Sequence, residues 1–336
     1  MAAFSLFSPI PARRKKSMKE ETVNEIIDCL PKGRTPFYYF RDRYALMMLS
    51  YFVGDGKRVQ EIKKSPLGRL MNKPIVKNAA KNAGSGLLTK GALDSVWPMT
   101  PECYLLTLGK WGKNDRWNTW CDQTSRRGTN LVLQLNFSGR HNQPFKRIFD
   151  AKYGSPFECC GHPNAGKGRN TLAWARIDLD LDTDEALIEE VQSDWVKMAL
   201  NGKENADRIT KDPSDKPNIH RYFEHVGCSP EELRTYVDGI LKPHMKIWDE
   251  AMLSAAVWFL KEEIGIRKIF FHTFDSGCNL KGFIFGKPPR SLYTKLPEKF
   301  CFTKTRDYPQ FLERKSNRRV KGILKSKDLR FFHLDF

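Results

Sequence analysis

The fold is decided by the stretch Leu187-Ile188-Glu189-Glu190-Val191-Gln192-Ser193-Asp194-Trp195, which begins as an apolar strand and then fills with acids and an amide. Side chains of a strand alternate between its two faces. One face therefore carries Ile188, Glu190, Gln192 and Asp194, and the other carries Leu187, Glu189, Val191, Ser193 and Trp195. Buried carboxylates are costly unless they are paired, so this row is typical of a strand that lines a functional site or of an edge strand with a solvated outer face.

The segment before this stretch predicts its partner strand. Residues 172–181 alternate, and Asp182-Thr183-Asp184 separates them from the acidic strand, which indicates an antiparallel hairpin. A hairpin loop with an odd number of residues places Arg176 opposite Glu190 or Gln192, and an even loop places it opposite Val191. The sequence leaves this register open.

Later segments supply the remaining sheet and its cover. Alternation predicts a strand over 130–138, the apolar stripe from Trp248 to Ile264 predicts a core helix that ends at Gly265, and the run Ile269-Phe270-Phe271 predicts an interior strand over 268–273. A short helix at about 291–296 and strands at 300–305 and 329–336 follow. We predict an α+β fold with a mixed, mainly antiparallel sheet and covering helices, in which Trp248 and Phe259 are buried.

The chain divides into three parts by composition. The composition of residues 1–20 predicts a flexible basic tail. The pattern of residues 21–100 predicts a helical, basic module, with helices near 18–30, 41–53, after Ser65 and from Pro74. Residues 101–336 form the α+β domain, with a long loop at 139–168. A polar insertion at 201–245 is expected to hold one short helix capped by Ser229.

Charge indicates a polyanionic partner. The net charge is +18, and residues 287–330 hold 14 Lys or Arg against 4 acids, which favours nucleic acid. Tyr293, Tyr308 and Phe311 are aromatic neighbours that are suited to stacking on bases, although core packing is the common use of such residues. The predicted nucleic-acid-binding residues are Arg314, Lys315, Arg318, Arg319 and Lys321. Residues 178–194 hold 8 acids and no base, which predicts an acidic face for a protein partner.

Other classes of protein are disfavoured. No apolar run of 18 residues is present, so a transmembrane helix is not expected and we predict no membrane partner. Eight cysteines at irregular spacing suit a reducing cytoplasm, which is the expected location. Part of a zinc site is suggested by Cys159, Cys160 and His162. The sequence has no second pair of ligands at a suitable spacing, so no metal is assigned.

The run from Asn170 to Arg176 followed by Glu189-Glu190-Val191-Gln192-Ser193-Asp194-Trp195 resembles the "EEIQSDW" domain of large polyvalent proteins of phages and mobile elements. The resemblance covers about residues 130–336, and the heptapeptide is its sharp motif. It implies a protein of a phage or mobile element. The order of elements is also similar to the GNAT acyltransferase fold, and Tyr293-Thr294-Lys295-Leu296 is similar to a segment common in that superfamily.

If the acidic strand is catalytic, Glu190 is the expected general base, because burial raises a carboxyl pKa toward neutrality. Gln192 would orient the substrate, Asp194 would bind a positive group or a metal, and His272 would reach the same strand end. The expected substrate-binding residues are Arg176, Glu189, Ser193, Trp195, Thr273 and Tyr293.

Three functions remain open from sequence. The first is a GNAT-like transferase that modifies a base, nucleotide or protein. The second is an ADP-ribosyltransferase-like toxin in which Arg176 holds NAD and Glu190 stabilises the ribosyl cation, although the Ser-Thr-Ser strand expected between them is missing. The third is a non-catalytic DNA-binding accessory protein. The cofactor is undecided between acyl-CoA and NAD, because neither has a clear motif.

Overall fold

The computed structural model describes residues 20–29, 35–84, 86–112, 123–149, 155–159, 161–166, 168–211, 217–281, 289–314 and 318–336. Its strands are β1 (Thr35–Tyr39), β2 (Lys57–Arg58), β3 (Leu87–Leu88), β4 (Glu102–Trp111), β5 (Asn130–Phe137), β6 (Thr171–Asp180), β7 (Glu185–Gln192), β8 (Lys268–His272), β9 (Thr303–Thr305) and β10 (Phe331–Asp335). The predicted basic tail at 1–20 lies outside the described residues, apart from Glu20 at the start of the first helix.

The helices in the same residues are α1 (Glu20–Cys29), α2 (Arg43–Val53), α3 (Val59–Lys64), α4 (Pro74–Asn82), α5 (Lys90–Asp94), α6 (Gly139–Ile148), α7 (Asp194–Lys211), α8 (Pro217–Val226), α9 (Pro230–Thr235), α10 (Lys242–Met245), α11 (Trp248–Trp258), α12 (Phe274–Lys281), α13 (Lys295–Lys299) and α14 (Arg318–Ser326). Shorter 3₁₀ turns cover Gly68–Asn72, Arg290–Tyr293 and Gln310–Glu313, and π-helical turns cover Tyr236–Leu241 and Phe259–Ile264.

Eight of these strands form one sheet in the order β1-β4-β5-β6-β7-β8-β10-β9. Every neighbouring pair is antiparallel except β7 and β8, which run parallel and are joined by the helices α7 to α11. The predicted fold class, α+β with a mixed, mainly antiparallel sheet, is therefore confirmed.

Strand β8 lies inside the sheet and is covered on both faces, as its unbroken apolar run predicts. Ile269 and Phe271 join the large hydrophobic core, whereas Phe270 joins a smaller core that includes Leu187 and Phe311. Helix α11 packs against β5, β6 and β7 on the large-core side. Phe259 is buried as predicted, but Trp248 at the first residue of α11 is only half-buried.

The segment 21–100 is mostly helical, but it also holds β1, β2 and β3, and β1 belongs to the main sheet. Thr35–Tyr39 forms β1, which pairs with β4 at the edge of the main sheet. Buried residues of α2 belong to the same core as the sheet. A five-residue strand that contains Pro36 carries little alternation, so no sequence pattern predicted it, and the structure does not separate this segment from the remaining core.

Two segments that were predicted to be irregular contain helices. The loop expected at 139–168 begins with α6, and the insertion expected at 201–245 is built from the end of α7 and from α8, α9, α10 and a π-helical turn. Ser229 caps α9 as predicted, since its hydroxyl accepts from the Glu232 amide and the Glu232 carboxylate accepts from the Ser229 amide. The helix α7 continues through Gly202, which the sequence did not predict because glycine is a poor helix former. It is needed there, since a Cβ would lie 2.3 Å from the Tyr222 hydroxyl.

Candidate functional site

A β-bulge organises the acidic strand. Arg176 pairs with Glu190 and Ile177 pairs with Ile188, which leaves Glu189 without a partner on β6. The hairpin loop is even, because Asp180 pairs with Glu185, and without a bulge this pairing would place Arg176 opposite Glu189. Arg176 lies opposite Glu190 instead, and not opposite Val191, which is the partner predicted for an even loop. The extra residue shifts the register by one, and it turns two consecutive carboxylates, those of Glu189 and Glu190, toward the same set of positive charges.

Glu190 lies in a buried ionic cluster. Its carboxylate accepts from the Arg176 guanidinium and lies 3.4 Å from the Lys281 ammonium, which also contacts the Tyr293 hydroxyl at 3.1 Å. All four residues are buried. Burial alone would raise the pKa of Glu190, but the Lys281 and Arg176 charges outweigh it and lower that pKa. The structure therefore does not support Glu190 as a general base, because a carboxylate held ionised by two cations is a poor proton acceptor.

Glu189 and His272 form a second buried group. The Ser125 hydroxyl lies 2.7 Å from His272 Nε2 and 2.8 Å from the Glu189 carboxylate, and His272 Nδ1 lies 2.9 Å from the Ser276 hydroxyl. Burial lowers the pKa of His272, although its hydrogen bond to Glu189 acts in the opposite direction. Burial would raise the pKa of Glu189, but the hydrogen bond and charge interaction with His272, together with the Lys281 and Arg176 charges, bring it to about 2.

This group does not have the geometry of a nucleophilic triad. In such a triad the acid and the nucleophile occupy opposite ring nitrogens of the histidine. Here Ser125 and Glu189 share Nε2, and all three side chains are buried. Their contacts fasten the segment around Ser125 to the sheet, as does the pair of hydrogen bonds from Arg126 to Asp178 at 2.6 and 2.8 Å.

A third group, formed by His162, Gln192, Asp194 and Trp174, is partly open to solvent. His162 Nδ1 lies 2.8 Å from the Asp194 carboxylate, which also accepts from the Gln192 amide at 2.6 Å and from the Trp174 indole at 3.0 Å. The His162 side chain is 37% exposed. Burial would raise the pKa of Asp194, but the hydrogen bonds from His162 and Trp174 lower it, so Asp194 is a carboxylate at neutral pH. This His162–Asp194 dyad is suited to moving a proton.

An aromatic wall joins the dyad to the buried ionic cluster. Trp111 stacks on Trp174 with a centroid separation of 6.5 Å, and the His162 ring lies 5.7 Å from Trp174. The Arg176 guanidinium lies over the Trp111 ring, 5.2 Å from its centroid. Glu190 and Gln192 are thus neighbours on one face of β7, but they serve two different groups.

Several residues predicted to bind substrate make structural contacts instead. Ser193 accepts from the Val196 amide in the first turn of α7, and buried Trp195 donates to the Tyr236 hydroxyl at 2.7 Å. Thr273 donates to the backbone carbonyl of Arg330 at 2.7 Å. These bonds hold the ends of β7 and β8 in place.

Some of the predicted nucleic-acid-binding residues contact the protein itself, and others lie at its surface. Arg314 lies 2.6 Å from the Asp180 carboxylate, and Arg319 donates to the carbonyl of Leu280 although it is exposed. Arg318 is exposed and Lys321 half-exposed on α14, whose Val320, Ile323 and Leu324 pack on the smaller core. Lys315 lies outside the described residues.

The predicted stacking and docking roles need correction. Tyr293 and Phe311 are buried, so neither is available to stack on a base. Five of the eight acids in 178–194 are buried, namely Asp178, Asp180, Glu185, Glu189 and Glu190. They neutralise internal cations such as Arg126 and Lys281, and they do not form an exposed acidic face.

Sequence reasoning missed Ser125, Arg126 and Lys281, because no local pattern distinguishes a buried ion pair partner that comes from a distant segment. It considered His162, Cys159 and Cys160 as part of a zinc site and assigned no metal. Cys160 lies outside the described residues, and among those that are described no three His, Cys, Asp or Glu side chains are grouped to hold a metal ion.

Comparison with known proteins gives no relative: no family model, no curated protein and no solved structure matches the chain. Within the described part of the chain, no helix has both the length and the apolar character needed to cross a bilayer.

Proposed function

We propose that this chain is a nucleic-acid-associated protein, of the kind found in phages and mobile elements, that transfers a group to an amine or hydroxyl with His162 as general base. The partial exposure of the His162–Asp194 dyad beside Trp111 and Trp174 is the observation that carries the proposal. The other two polar groups, one around Glu190 and one formed by Glu189 and His272, are buried, and their acids are already paired.

In the proposed reaction, Nδ1–H of His162 donates a hydrogen bond to the Asp194 carboxylate, so Nε2 is the nitrogen that takes up a proton. The acceptor amine or hydroxyl loses its proton to Nε2 while its nitrogen or oxygen bonds to the carbonyl carbon of an acyl thioester. The thiolate leaves with the electron pair of the C–S bond and receives the proton from the imidazolium. Asp194 stabilises that imidazolium, as the acid of a catalytic triad does.

The order of strands supports an acyl donor. Strands β5-β6-β7-β8-β10-β9, with β7 and β8 parallel, follow the order that is similar to the GNAT fold. The start of α7 argues against binding of a CoA pyrophosphate there, because Asp194 is a carboxylate and the Val196 amide is already capped by Ser193. The donor would need phosphate contacts at another place.

The toxin alternative is less well supported. An ADP-ribosyltransferase would use Arg176 to hold the NAD phosphates and Glu190 to stabilise the ribosyl cation. Both side chains are buried and paired with each other, so neither is free for NAD. The accessory-protein alternative keeps the nucleic-acid association, which the net charge of +18 supports, and removes the chemistry.

The proposal is tested by intact-mass analysis of single-stranded and duplex oligonucleotides incubated with the full chain and either acetyl-CoA or NAD. We expect an acyl adduct on the oligonucleotide with wild-type protein and none with His162→Gln. His225→Gln, a change of the same kind at an exposed position on α8, should leave the yield unchanged. Unmodified oligonucleotides with both donors would reject the transferase and leave the accessory protein.

A further inference from the structure

A chain of hydrogen bonds crosses the sheet from the loop before β6 and ends at Gln134 on β5. The Ala165 amide donates to the Thr171 hydroxyl at 2.9 Å, and that hydroxyl donates to the side-chain carbonyl of Asn136 at 2.9 Å. The side-chain amide of Asn136 donates to the Thr107 hydroxyl at 2.8 Å. The Thr107 hydroxyl in turn donates to the side-chain carbonyl oxygen of Gln134 at 2.8 Å. The Gln134 side chain is therefore held from β4 as well as by its own strand.

Groups that can act in only one way set the direction of this chain at both ends. The Leu105 carbonyl accepts from the Asn136 side-chain nitrogen at 2.9 Å, and a carbonyl cannot donate. The backbone amide of Ala165 can only donate. Each hydroxyl between them accepts on one side and donates on the other. The atom of Gln134 that faces Thr107 is therefore the carbonyl oxygen, and Nε2, with its two N–H donors, is the other end of the amide.

In the part of the chain that the structure describes, Gln134 Nε2 donates to no acceptor, although the side chain is only 4% exposed. A buried donor without an acceptor costs free energy. Beside it on β4 lies Gly109, which is half-buried, and a Cβ at Gly109 would lie 3.8 Å from Gln134 Nε2. A glycine inside a strand often marks the close approach of a ligand. The space that a side chain would fill at Gly109 thus leads to the two donors.

This space adjoins the dyad on one face of the sheet. Gln134 pairs with Trp174 across β5 and β6, and Trp174 donates to Asp194 at 3.0 Å. Trp111, two residues after Gly109, lies on the same face of β4 and is half-buried, so part of its indole is accessible. The face therefore offers an indole, a strand backbone without a side chain and two N–H donors beside the dyad.

From this juxtaposition we infer that Gly109, Trp111 and Gln134 form a subsite for one unstacked nucleobase. The base lies against the Gly109 backbone and the Trp111 indole, and a carbonyl oxygen or ring nitrogen on its edge accepts from Gln134 Nε2. The net charge of +18 favours a polyanion that carries such bases. Because a base must be unstacked to present its face and its pairing edge, the subsite selects single strands over duplex.

The inference rests on the nucleic-acid association in the proposed function, and it specifies the part of the strand that is held beside the dyad. Fluorescence anisotropy of the full chain with oligo(dT) and with an abasic oligonucleotide of equal length tests it, because both strands carry the same phosphates. At about 200 mM salt, where phosphate contacts are weakened, we expect wild type to bind oligo(dT) about tenfold more tightly, since the abasic strand has no base to stack.

Gly109→Ala should remove most of this preference and leave the affinity for the abasic strand unchanged. The added methyl group fits, because its nearest contacts are 3.8 Å away, but it fills the place of the ligand. Gly139→Ala is the matched control, since a Cβ there meets nothing within 4 Å, and it should bind both strands as wild type does. Gln134→Met keeps the length of the side chain and removes the donors, so it should weaken the binding of oligo(dT) alone.

Equal affinity of wild type for the two strands would overturn the inference, and so would an undiminished preference for oligo(dT) in Gly109→Ala or in Gln134→Met. These measurements contain no acyl donor, so a failure of the proposed transfer chemistry would leave the affinities unchanged. Acylation of oligonucleotides by a wild-type protein that does not distinguish the two strands would keep the proposed function and reject the subsite.

Discussion

His162 Nδ1 lies 2.8 Å from the carboxylate of Asp194, the first residue of α7, and this contact joins a loop histidine to the acidic strand motif. A carboxylate is favourable at a helix N-terminus, so Asp194 is stabilised as an anion by the helix as well as by its hydrogen-bond donors. The stretch Leu187–Trp195 thus serves two purposes. Glu189 and Glu190 neutralise buried cations, and Gln192 and Asp194 position an accessible imidazole.

The Asp194→Asn variant should retain the fold and lose most transfer activity. An asparagine amide can present its nitrogen to His162 Nδ1 and so favour the tautomer that has its proton on Nε2, which cannot act as a base. We expect a rate loss of about 10²–10⁴-fold, the usual contribution of general acid–base catalysis. Rates from the intact-mass assay, together with the melting temperature, check this. An active variant would mean that Asp194 has only a structural role.

The buried histidines predict acid sensitivity. Burial lowers the pKa of His141 to about 3 and that of His244 to about 4, whereas in the unfolded chain both take up protons below about pH 6.5. The unfolded state therefore binds more protons, and the free energy of unfolding should fall as pH decreases from 6.5 toward 4, by up to about 1.4 kcal/mol per pH unit for each histidine.

Urea denaturation at several pH values measures this slope. His141→Gln should reduce the slope in that window by about one proton. A flat profile from pH 6.5 to 4 in the wild type would contradict the neutral, buried state of His141.

Nucleic-acid binding should depend on salt and on the exposed face of α14. We expect affinity for duplex DNA to fall steeply between about 50 and 200 mM salt, and the double variant Arg318→Ser, Lys325→Ser to reduce both the affinity and the salt slope, by about 0.9 for each phosphate that is no longer neutralised. Fluorescence anisotropy measures both quantities. Lys242→Ser, Lys246→Ser is a control of equal charge, because both lysines are exposed on another element. An equal reduction in this control would indicate a diffuse charge effect and no α14 site.

Arg314→Ser should act differently from these changes. Arg314 lies 2.6 Å from buried Asp180, so its removal leaves a buried carboxylate without that cation and should destabilise the fold. Thermal unfolding would detect this as a lower melting temperature, with the salt slope of DNA binding unchanged. A normal melting temperature with weaker binding would restore Arg314 as a phosphate contact.

Much of the sheet was accessible from sequence, because alternation in β5 and β6 and the apolar run of β8 each report burial directly. The bulge at Glu189 was not, since the sequence does not show that Glu189 lacks a partner on β6 or that the side chains of Glu189 and Glu190 depart from regular alternation. Lys281 also escaped prediction, because it reaches Glu190 from a helix that follows the next strand, and only the tertiary fold brings them together. His162 was noted for its neighbouring cysteines, while its partner Asp194 lies 32 residues further along the chain.

In the proposed mechanism His162 carries the chemistry while Glu190 supports the structure. Both variants, His162→Gln and Glu190→Gln, remove a titrating group, but Glu190→Gln also leaves Arg176 and Lys281 without a counter-charge in a buried site. Breaking such a pair costs about 3–5 kcal/mol, whereas Glu204→Gln, which breaks an exposed pair with Arg208, should cost less than about 1 kcal/mol.

The most direct measurement is therefore the free energy of unfolding in urea together with the transfer rate for these three variants. We predict that His162→Gln is as stable as wild type and inactive, and that Glu190→Gln is destabilised by several kcal/mol but retains activity in proportion to its folded fraction. A Glu190→Gln protein of wild-type stability without activity, beside an active His162→Gln protein, would contradict both assignments.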